Sequence, residues 1–301
     1  MSNKEDKNPY NGVLPVYKEK GFTSNDVVVK LRGILRMRRI GHTGTLDPEA
    51  CGVLPVCLGR ATKIAGFLTD TDKTYGCVMR PGITTDTEDM TGRVLKTSDC
   101  TGLTGEAVKS AILSFVGEYD QIPPMYSAKK INGKKLYELA REGVEVERKP
   151  SHVFIGSISD IEVSLGEEKR AAFTVECSKG TYIRSLCRDI GESLGLGGCM
   201  ESLERTRACG IDSKDCLTLS QIEEAAGKGE LSDHILPIDR FYDGLEKLTV
   251  SGETEKRVRN GNRFRISDRA SGRYRVYLSD GLFAALYDID DGEAKLCRMF
   301  L

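Results

Sequence analysis

The sequence predicts an α+β protein with a mixed sheet, followed by a small β-rich domain at the C-terminal end. Helix-like and strand-like periodicities alternate irregularly through the first 240 residues, which is typical of a mixed sheet covered by helices. From about residue 241 the pattern changes to short strands separated by Gly and Asn turns. The 301 residues also exceed the usual size of one domain. We therefore expect a flexible N-terminus over residues 1–10, a main domain over 11–240 and a small domain over 241–301.

The first elements follow from helix-start residues and apolar spacing. Thr23 or Ser24 makes a helix start, and apolar residues then recur at helical spacing at Val27, Val28, Leu31, Ile34 and Leu35. A second helix is marked by Ala61, Ile64, Ala65 and Leu68. Residues 73–80 then alternate as a strand.

The later elements of the main domain follow the same rules. Residues 104–116 predict a third amphipathic helix, closed by Gly117 as its C-terminal cap. Strands are expected at about 153–165 and 171–177. A further helix follows Tyr182, with one apolar face formed by Ile183, Leu186, Cys187, Ile190 and Leu194. Residues 129–149, with seven basic and four acidic side chains, read as a basic excursion from the core.

Charge is unevenly distributed although the net charge is only −1. Residues 27–42 carry five basic side chains and no acidic one, and residues 256–275 carry eight basic and one acidic. A single run of this kind is usually a solvated face, but two runs flanking a possible active loop favour contact with a phosphate backbone.

Composition argues against several classes of protein. No apolar run is long enough for a membrane span, and the polar start lacks a signal-peptide apolar region, so we expect a cytoplasmic protein. The ten cysteines contain no Cys-x-x-Cys pair and no His at zinc-finger spacing, which predicts reduced, mostly buried thiols and no metal or other cofactor. Oligomeric state leaves no signal, and a monomer is the default expectation.

The glycine-rich segment of residues 39–48 holds the candidate reactive group, Asp47. Pro48 disfavours the α region for the residue before it, so Asp47 should lie on an extended or turning backbone that is neither helix nor ladder strand. A carboxylate fixed on such a loop is a candidate catalytic group, because it can act as a nucleophile or as a base without a metal.

Four segments together resemble the bacterial tRNA pseudouridine 55 synthases, the TruB family. They are residues 41–48 (GHTGTLDP), 72–75 (DKTY), 121–128 (QIPPMYSA) and 177–184 (CSKGTYIR), and their order and spacing match over about residues 12–240. The resemblance implies a pseudouridine synthase fold with a mixed, largely antiparallel central sheet and a C-terminal PUA-like RNA-binding domain. It also implies that the enzyme breaks the glycosidic bond of a uridine in the tRNA T loop, turns the base and rejoins it through carbon.

The resemblance assigns roles to residues of the expected pocket. Asp47 would be the catalytic carboxylate, as nucleophile or as base, and Arg184 its positive partner, although Arg184 alone could simply begin a helix. Tyr75 would pack on the target base and help with proton transfer, whereas an aromatic residue in a strand is more often core. Tyr182 and Leu203 would complete an apolar wall.

Further residues are assigned by the resemblance to RNA contact. His42 would fill the space that the extruded base leaves, although it could equally bond to backbone. Asp89 would lie near the flipped nucleotide, unless it is an ordinary turn carboxylate. Lys129 and Lys130 belong to an insertion over about 121–150 that would clamp the T stem-loop. Lys18 is the weakest RNA contact, because only it and Gly21 remain of the family's usual early motif.

Three alternatives compete with this interpretation. A non-catalytic tRNA-binding or tRNA-folding protein on the same scaffold would not require both Asp47 and Arg184. A guide-RNA-dependent synthase is disfavoured by the His-Thr-Gly loop, the insertion and the short tail. A glycoside hydrolase usually needs a second carboxylate as acid, and none stands out beside Asp47.

Overall fold

The computed structural model describes residues 10–127, 129–131, 133–144 and 146–301. The predicted flexible N-terminus lies outside these residues except for Tyr10. The helices are α1 (Ser24–Leu35), α2 (Ala65–Thr69), α3 (Gly105–Leu113), α4 (Leu136–Arg141), α5 (Ile183–Ser193), α6 (Leu219–Lys228) and α7 (Gly252–Arg259). Short 3₁₀ turns lie at Gly59–Ile64, Ser213–Asp215, Leu231–His234 and Ile238–Tyr242.

The strands in chain order are β1 (Gly12–Lys18), β2 (Ile40–His42), β3 (Cys51–Leu58), β4 (Lys73–Pro81), β5 (Ile83–Thr85), β6 (Val94–Thr97), β7 (Gly117–Gln121), β8 (Lys130–Ile131), β9 (Lys134–Lys135), β10 (Ser151–Leu165), β11 (Lys169–Cys177), β12 (Gly198–Ala208), β13 (Ile211–Asp212), β14 (Glu246–Thr249), β15 (Phe264–Arg265), β16 (Gly272–Tyr277), β17 (Phe283–Asp290) and β18 (Glu293–Met299).

The main sheet has the strand order β1-β3-β12-β4-β11-β10-β7, with β2 added to β3 and β13 to β12. All pairings are antiparallel except that of β3 with β12, so the predicted mixed, largely antiparallel sheet is confirmed. One apolar cluster packs α3 and α5 against β4, β11 and β12, and another packs α1 and α6 against β1 and β3.

The C-terminal residues form a second sheet in the order β14-β16-β17-β18-β15, as the change in sequence pattern predicted. Leu286 and Phe300 of this region share an apolar cluster with Val13 and Ile64 of the main sheet side. The two sheets are therefore joined by a buried apolar contact.

Two predicted elements differ in the structure. The second helix begins as the 3₁₀ turn Gly59–Ile64 and only then continues as α2. The third ends at Leu113, where the Ser114 hydroxyl donates to the Ala111 carbonyl (2.7 Å) and competes with continued helical bonding. Gly117 has a positive φ of 112°, but it opens β7 and does not cap the helix, so this prediction was wrong.

All ten cysteines lie in the described residues and are free thiols, as expected. Five are buried, and burial raises the pKa of Cys177 to about 12, which keeps that thiol protonated and unreactive. Among the described helices, none combines the length and apolarity needed to cross a membrane.

Candidate active site

Asp47 lies on the connection between β2 and β3, outside any helix or strand as predicted, although the flanking residues do form strands. The connection is tied to α1 through Ser24, whose hydroxyl accepts from the Leu46 N–H (2.8 Å) and contacts the Leu46 carbonyl (3.3 Å). Leu46 itself is buried in the core beside α5, and the Ala50 N–H closes a turn on the Asp47 carbonyl at 3.1 Å. The carboxylate therefore projects from a loop that is fixed on both sides.

Lys18 holds the other side of this loop. Its side chain is fully buried at the end of β1, and its ammonium donates to the carbonyls of Glu19 (3.1 Å), Phe22 (2.6 Å) and Pro48 (3.1 Å). Burial lowers the pKa of Lys18, and the three carbonyls replace its lost hydration. The expected RNA contact of Lys18 is contradicted by this burial, because the ammonium is enclosed and binds backbone beside Asp47.

Arg184 in the first turn of α5 reaches the same loop from the opposite side. Its Nε lies 2.8 Å from Asp47 Oδ2 and 3.9 Å from Asp89 Oδ2. Its two terminal nitrogens donate to the carbonyls of Thr87 (3.0 Å) and Tyr126 (2.8 Å). The guanidinium thus joins α5 to three segments that are far apart in the sequence, around Asp47, Thr87 and Tyr126.

The two members of the ion pair differ in exposure. The Arg184 side chain is 5% exposed, whereas that of Asp47 is 39% exposed. The guanidinium is held by protein groups on all sides, while the carboxylate still faces the solvent. The geometry therefore provides a carboxylate that is oriented by a buried guanidinium and that a ligand can reach.

Asp89 is held by its own turn as well as by Arg184. Its Oδ1 accepts from the Thr87 hydroxyl (2.8 Å) and from the N–H of Thr91 (3.0 Å). The preceding Glu88 has a left-handed φ of 65°, and its carboxylate accepts from the Ser185 hydroxyl on α5 (2.7 Å). The turn is therefore fastened to the helix that carries Arg184, and Asp89 is both a turn carboxylate and a neighbour of the ion pair.

Tyr75 lies on β4, between Val175 of β11 and Arg205 of β12 in the strand register. It is 8% exposed, and burial raises its pKa, an effect that the positive charge of Arg205 partly opposes. Leu203, two residues before Arg205 on β12, is also 8% exposed, and both side chains belong to the cluster that contains Leu46. Tyr75 and Leu203 thus form an apolar surface beside the Asp47 loop.

Tyr182 immediately precedes α5, and its backbone is held by the buried Gln121, a residue whose role the sequence did not predict. Gln121 accepts from the Tyr182 N–H (2.7 Å) and donates to the Tyr182 carbonyl (3.0 Å). This amide clamp fixes the start of the helix that presents Arg184. In the sequence, Gln121 is the first residue of the segment of residues 121–128 that contains two consecutive prolines. That position is the only sequence feature that pointed to Gln121.

His42 ends β2 and is half-buried. Its Nδ1 is buried and makes no well-formed hydrogen bond among the described residues. Burial lowers the pKa of the imidazole, and a backbone contact with Gly44 partly opposes that effect. A neutral ring at this position suits packing against a base or an apolar group better than binding a phosphate.

Lys129 of the insertion contacts none of these residues in the described structure. Lys129 is exposed and its ammonium donates to the Ser151 hydroxyl at 2.7 Å. Lys130 begins the short hairpin of β8 and β9, but its side chain lies outside the described part of the structure. Within the described chain, no group of three or more His, Cys, Asp or Glu side chains is placed to hold a metal ion.

The sequence matches two protein-family models. Residues 32–183 match the TruB family pseudouridylate synthase (N terminal domain), and residues 184–242 match the tRNA pseudouridylate synthase B C-terminal domain. The tRNA pseudouridine synthase B of Lachnoclostridium phytofermentans is 48% identical, over 97% of this chain and 100% of that protein. The protein of the same name from Alkaliphilus oremlandii is 49% identical, over 84% of this chain and 82% of that protein.

Solved structures with a similar fold include the crystal structure of a Cbf5-Nop10-Gar1 complex, with a TM-score of 0.70 and 23% identity. An H/ACA ribonucleoprotein bound to a substrate RNA containing 2′-deoxyuridine gives a TM-score of 0.69 and 22% identity. Each alignment covers 96% of this chain and 85% of the other chain. At this identity the likeness concerns the fold alone.

Proposed function

Because the chain belongs to the TruB family of pseudouridylate synthases, we propose that it isomerises uridine 55 in the T loop of tRNA to pseudouridine. The observation that carries the proposal is the pair formed by Asp47 and the buried Arg184, with Nε and Oδ2 2.8 Å apart. A protein that only binds or folds tRNA has no need of a solvent-facing carboxylate paired with a buried guanidinium.

In this reaction the bond between N1 of the base and C1′ of the sugar breaks, and a bond from C5 to C1′ forms. The proton on C5 leaves to solvent and N1 gains a proton, so the product is an isomer of the substrate. Asp47 serves as the catalytic carboxylate, as nucleophile or as base, and Arg184 orients it through the ion pair. The atoms and electrons of the reaction balance without a further reactant.

The uridine must leave the stacked T loop before the carboxylate can reach its sugar, at a cost of a few kcal/mol. The apolar surface formed by Tyr75 and Leu203, which are each 8% exposed, supplies a place for the extruded base. We assign Tyr182, which immediately precedes α5, to the wall of this place, and His42, which ends β2, to the space that the base leaves. Asp89 acts on the nucleotide indirectly, through the orientation of Arg184.

Outside the pocket, we assign the insertion with Lys129 and Lys130 to the T stem-loop, and residues 241–301 to a PUA-like contact farther along the tRNA. A monomer acting in the cytoplasm fits a substrate of this size and kind. The sheet of residues 246–299 supplies the β framework for that second contact.

Tritium release tests the proposed reaction. A tRNA transcript labelled with tritium at C5 of every uridine should release one equivalent of tritium per molecule, because only one C5–H bond is broken. A transcript with cytidine in place of uridine 55 should release none, and no guide RNA should be needed. A transcript that is bound but releases no tritium would favour the non-catalytic tRNA-binding alternative.

A compact basic surface also supports tRNA as the partner. It consists of Arg39, Arg60, Lys63 and Arg298. Arg298 donates to the Lys63 carbonyl, and the Lys63 ammonium donates to the Met299 carbonyl (2.7 Å), which joins the main sheet side to β18. Burial has the largest effect on the pKa of Lys63 and lowers it. The positive charges of Arg39, Arg60 and Arg298 lower it further. A cluster of like charges is stabilised by an anion such as a phosphate.

Replacing Arg60 by Gln should therefore weaken tRNA binding and make the Kd for tRNA less dependent on salt concentration. We expect the slope of log Kd against log salt concentration to fall by about 1 for each phosphate that the protein no longer neutralises. The tritium-release rate of the bound complex should not change, because Arg60 does not touch the pocket. Lys228→Gln on α6, which removes an exposed lysine paired with Glu224, is the matched control. An unchanged slope in the Arg60 variant would contradict the assignment.

A further inference from the structure

Arg205 is a buried cation that none of the roles above uses. It lies on β12 with a side chain among the largest of the fully buried ones, at 1% exposure. A guanidinium without access to water is costly unless its donors are satisfied and its charge has a purpose. In β12 Arg205 follows the buried Leu203 by two residues and so lies on the same, inward face of the strand.

Arg205 donates to backbone oxygens at the two ends of the segment that carries Asp47, and its guanidinium is also hydrogen-bonded to the Tyr75 side chain. Its Nε donates to the Val53 carbonyl (2.6 Å) and its Nη2 to the Gly44 carbonyl (3.3 Å). Neither partner is a carboxylate, so these hydrogen bonds hold the loop without neutralising the charge. The loop is thus fixed from beneath by Arg205, in addition to Lys18 and Ser24 at its sides.

The backbone of Arg205 is also in close contact with both strands of the site. It pairs with Gly52 of β3 on one side and with Tyr75 of β4 on the other. At Gly52 the fit is so close that an added Cβ would lie 2.2 Å from the Arg205 carbonyl oxygen, on a backbone with φ of 104°. Arg205 therefore lies between the segment that carries Asp47 and the strand that carries Tyr75.

The charge of Arg205 acts on the pocket residues themselves. Burial lowers the pKa of His42 and Lys18, and the charge of Arg205 lowers both further. At Tyr75 burial raises the pKa, and the charge of Arg205 partly opposes that rise. Three residues from three strands thus experience the same buried positive charge. A fixed positive charge beside Tyr75 stabilises negative charge that develops there during the reaction.

We propose that Arg205 is a positioning residue of the isomerisation, which holds both ends of the Asp47 segment and places a positive charge behind Tyr75. This inference rests on the proposed function. It predicts that Arg205 affects the chemical step on bound tRNA more than it affects binding, because its guanidinium lies beneath the loop and away from the surface.

The test compares single-turnover tritium release with tRNA affinity for Arg205→Met and Arg205→Lys. We expect the methionine variant to lose about 100-fold in the rate of the bound complex, since small displacements of a catalytic group have effects of this size. The lysine variant keeps the charge but not the fork, so it should retain an intermediate rate. The Kd for tRNA should stay near the wild-type value in both.

Arg207→Met is the matched control, since Arg207 lies on the same strand with a 62% exposed side chain. It should keep the wild-type rate. Thermal melting and the fraction of enzyme that binds tRNA separate a positioning role from a merely structural one. If the rate fell only in proportion to the binding-competent fraction, or if both Arg205 variants kept the wild-type rate, the inference would be overturned. If the wild-type enzyme released no tritium, the proposed function would fail instead.

Discussion

Asp47→Asn is expected to abolish tritium release while tRNA binding remains intact. Asparagine has the same shape as aspartate but can neither attack C1′ as an anion nor accept a proton as a carboxylate does. We expect a loss of at least about 10⁴-fold, the scale seen when an essential catalytic group is removed. The loop should keep its conformation, because it is held by Ser24, Lys18 and Arg205, none of which bonds the Asp47 side chain.

Glu49→Gln provides the matched control for this prediction. Glu49 lies two residues after Asp47 on the exposed side of the same turn, so its replacement also removes one negative charge near the site. Its rate should equal that of the wild type. Substantial tritium release by Asp47→Asn, with the product verified as pseudouridine, would require another residue to be the catalytic group.

Elements with a strong period were predictable from the sequence. α1 begins as expected, with Thr23 as its N-cap and Asp26 completing a capping box, and its inward face carries the predicted apolar residues. β4 alternates between buried and half-buried residues along its whole length, which is the pattern that the sequence showed. In these segments local preference and tertiary packing agree.

β3 was not predicted as a strand, for a physical reason. It is buried on both faces, so it shows no alternation, and it contains Gly52 and Pro55, which normally interrupt strands. In the sheet Pro55 lies opposite Pro15 of β1, so neither proline faces a residue that needs its missing N–H. Such an arrangement depends on two segments together and cannot be inferred from one.

The same limit applies to the site. The resemblance brought Asp47 and Arg184 together as candidates, and the structure places them in contact. The resemblance did not predict that Lys18 is buried against Pro48, and it did not predict that Arg205 lies beneath the loop. A lysine and an arginine are exposed in most proteins, so a sequence-based expectation of surface contact fails where the backbone offers several carbonyls to a buried cation.

Replacing Arg184 should have the second largest effect, and lysine should not restore the lost activity. The guanidinium holds Asp47, the Thr87 carbonyl and the Tyr126 carbonyl at once, with distances of 2.8, 3.0 and 2.8 Å. An ammonium can bond three oxygens that converge on one point, as that of Lys18 does, but Arg184 contacts its three oxygens through three separate nitrogens, which a lysine does not have. We expect both Arg184→Met and Arg184→Lys to lose about 10²- to 10³-fold in single-turnover rate, a cost comparable to removing a preorganised charge partner.

The melting temperature should fall as well, because the carbonyls of Thr87 and Tyr126 lose their donors in a buried setting. Arg170→Met is the matched control, since it breaks another arginine–carboxylate pair, with Glu201 at 2.8 Å, outside the cluster around Asp47. That variant should keep its rate on bound tRNA. A lysine variant of Arg184 with the wild-type rate would show that charge alone is sufficient, and that the joining of Asp47 to the segments around Thr87 and Tyr126 is dispensable for the reaction.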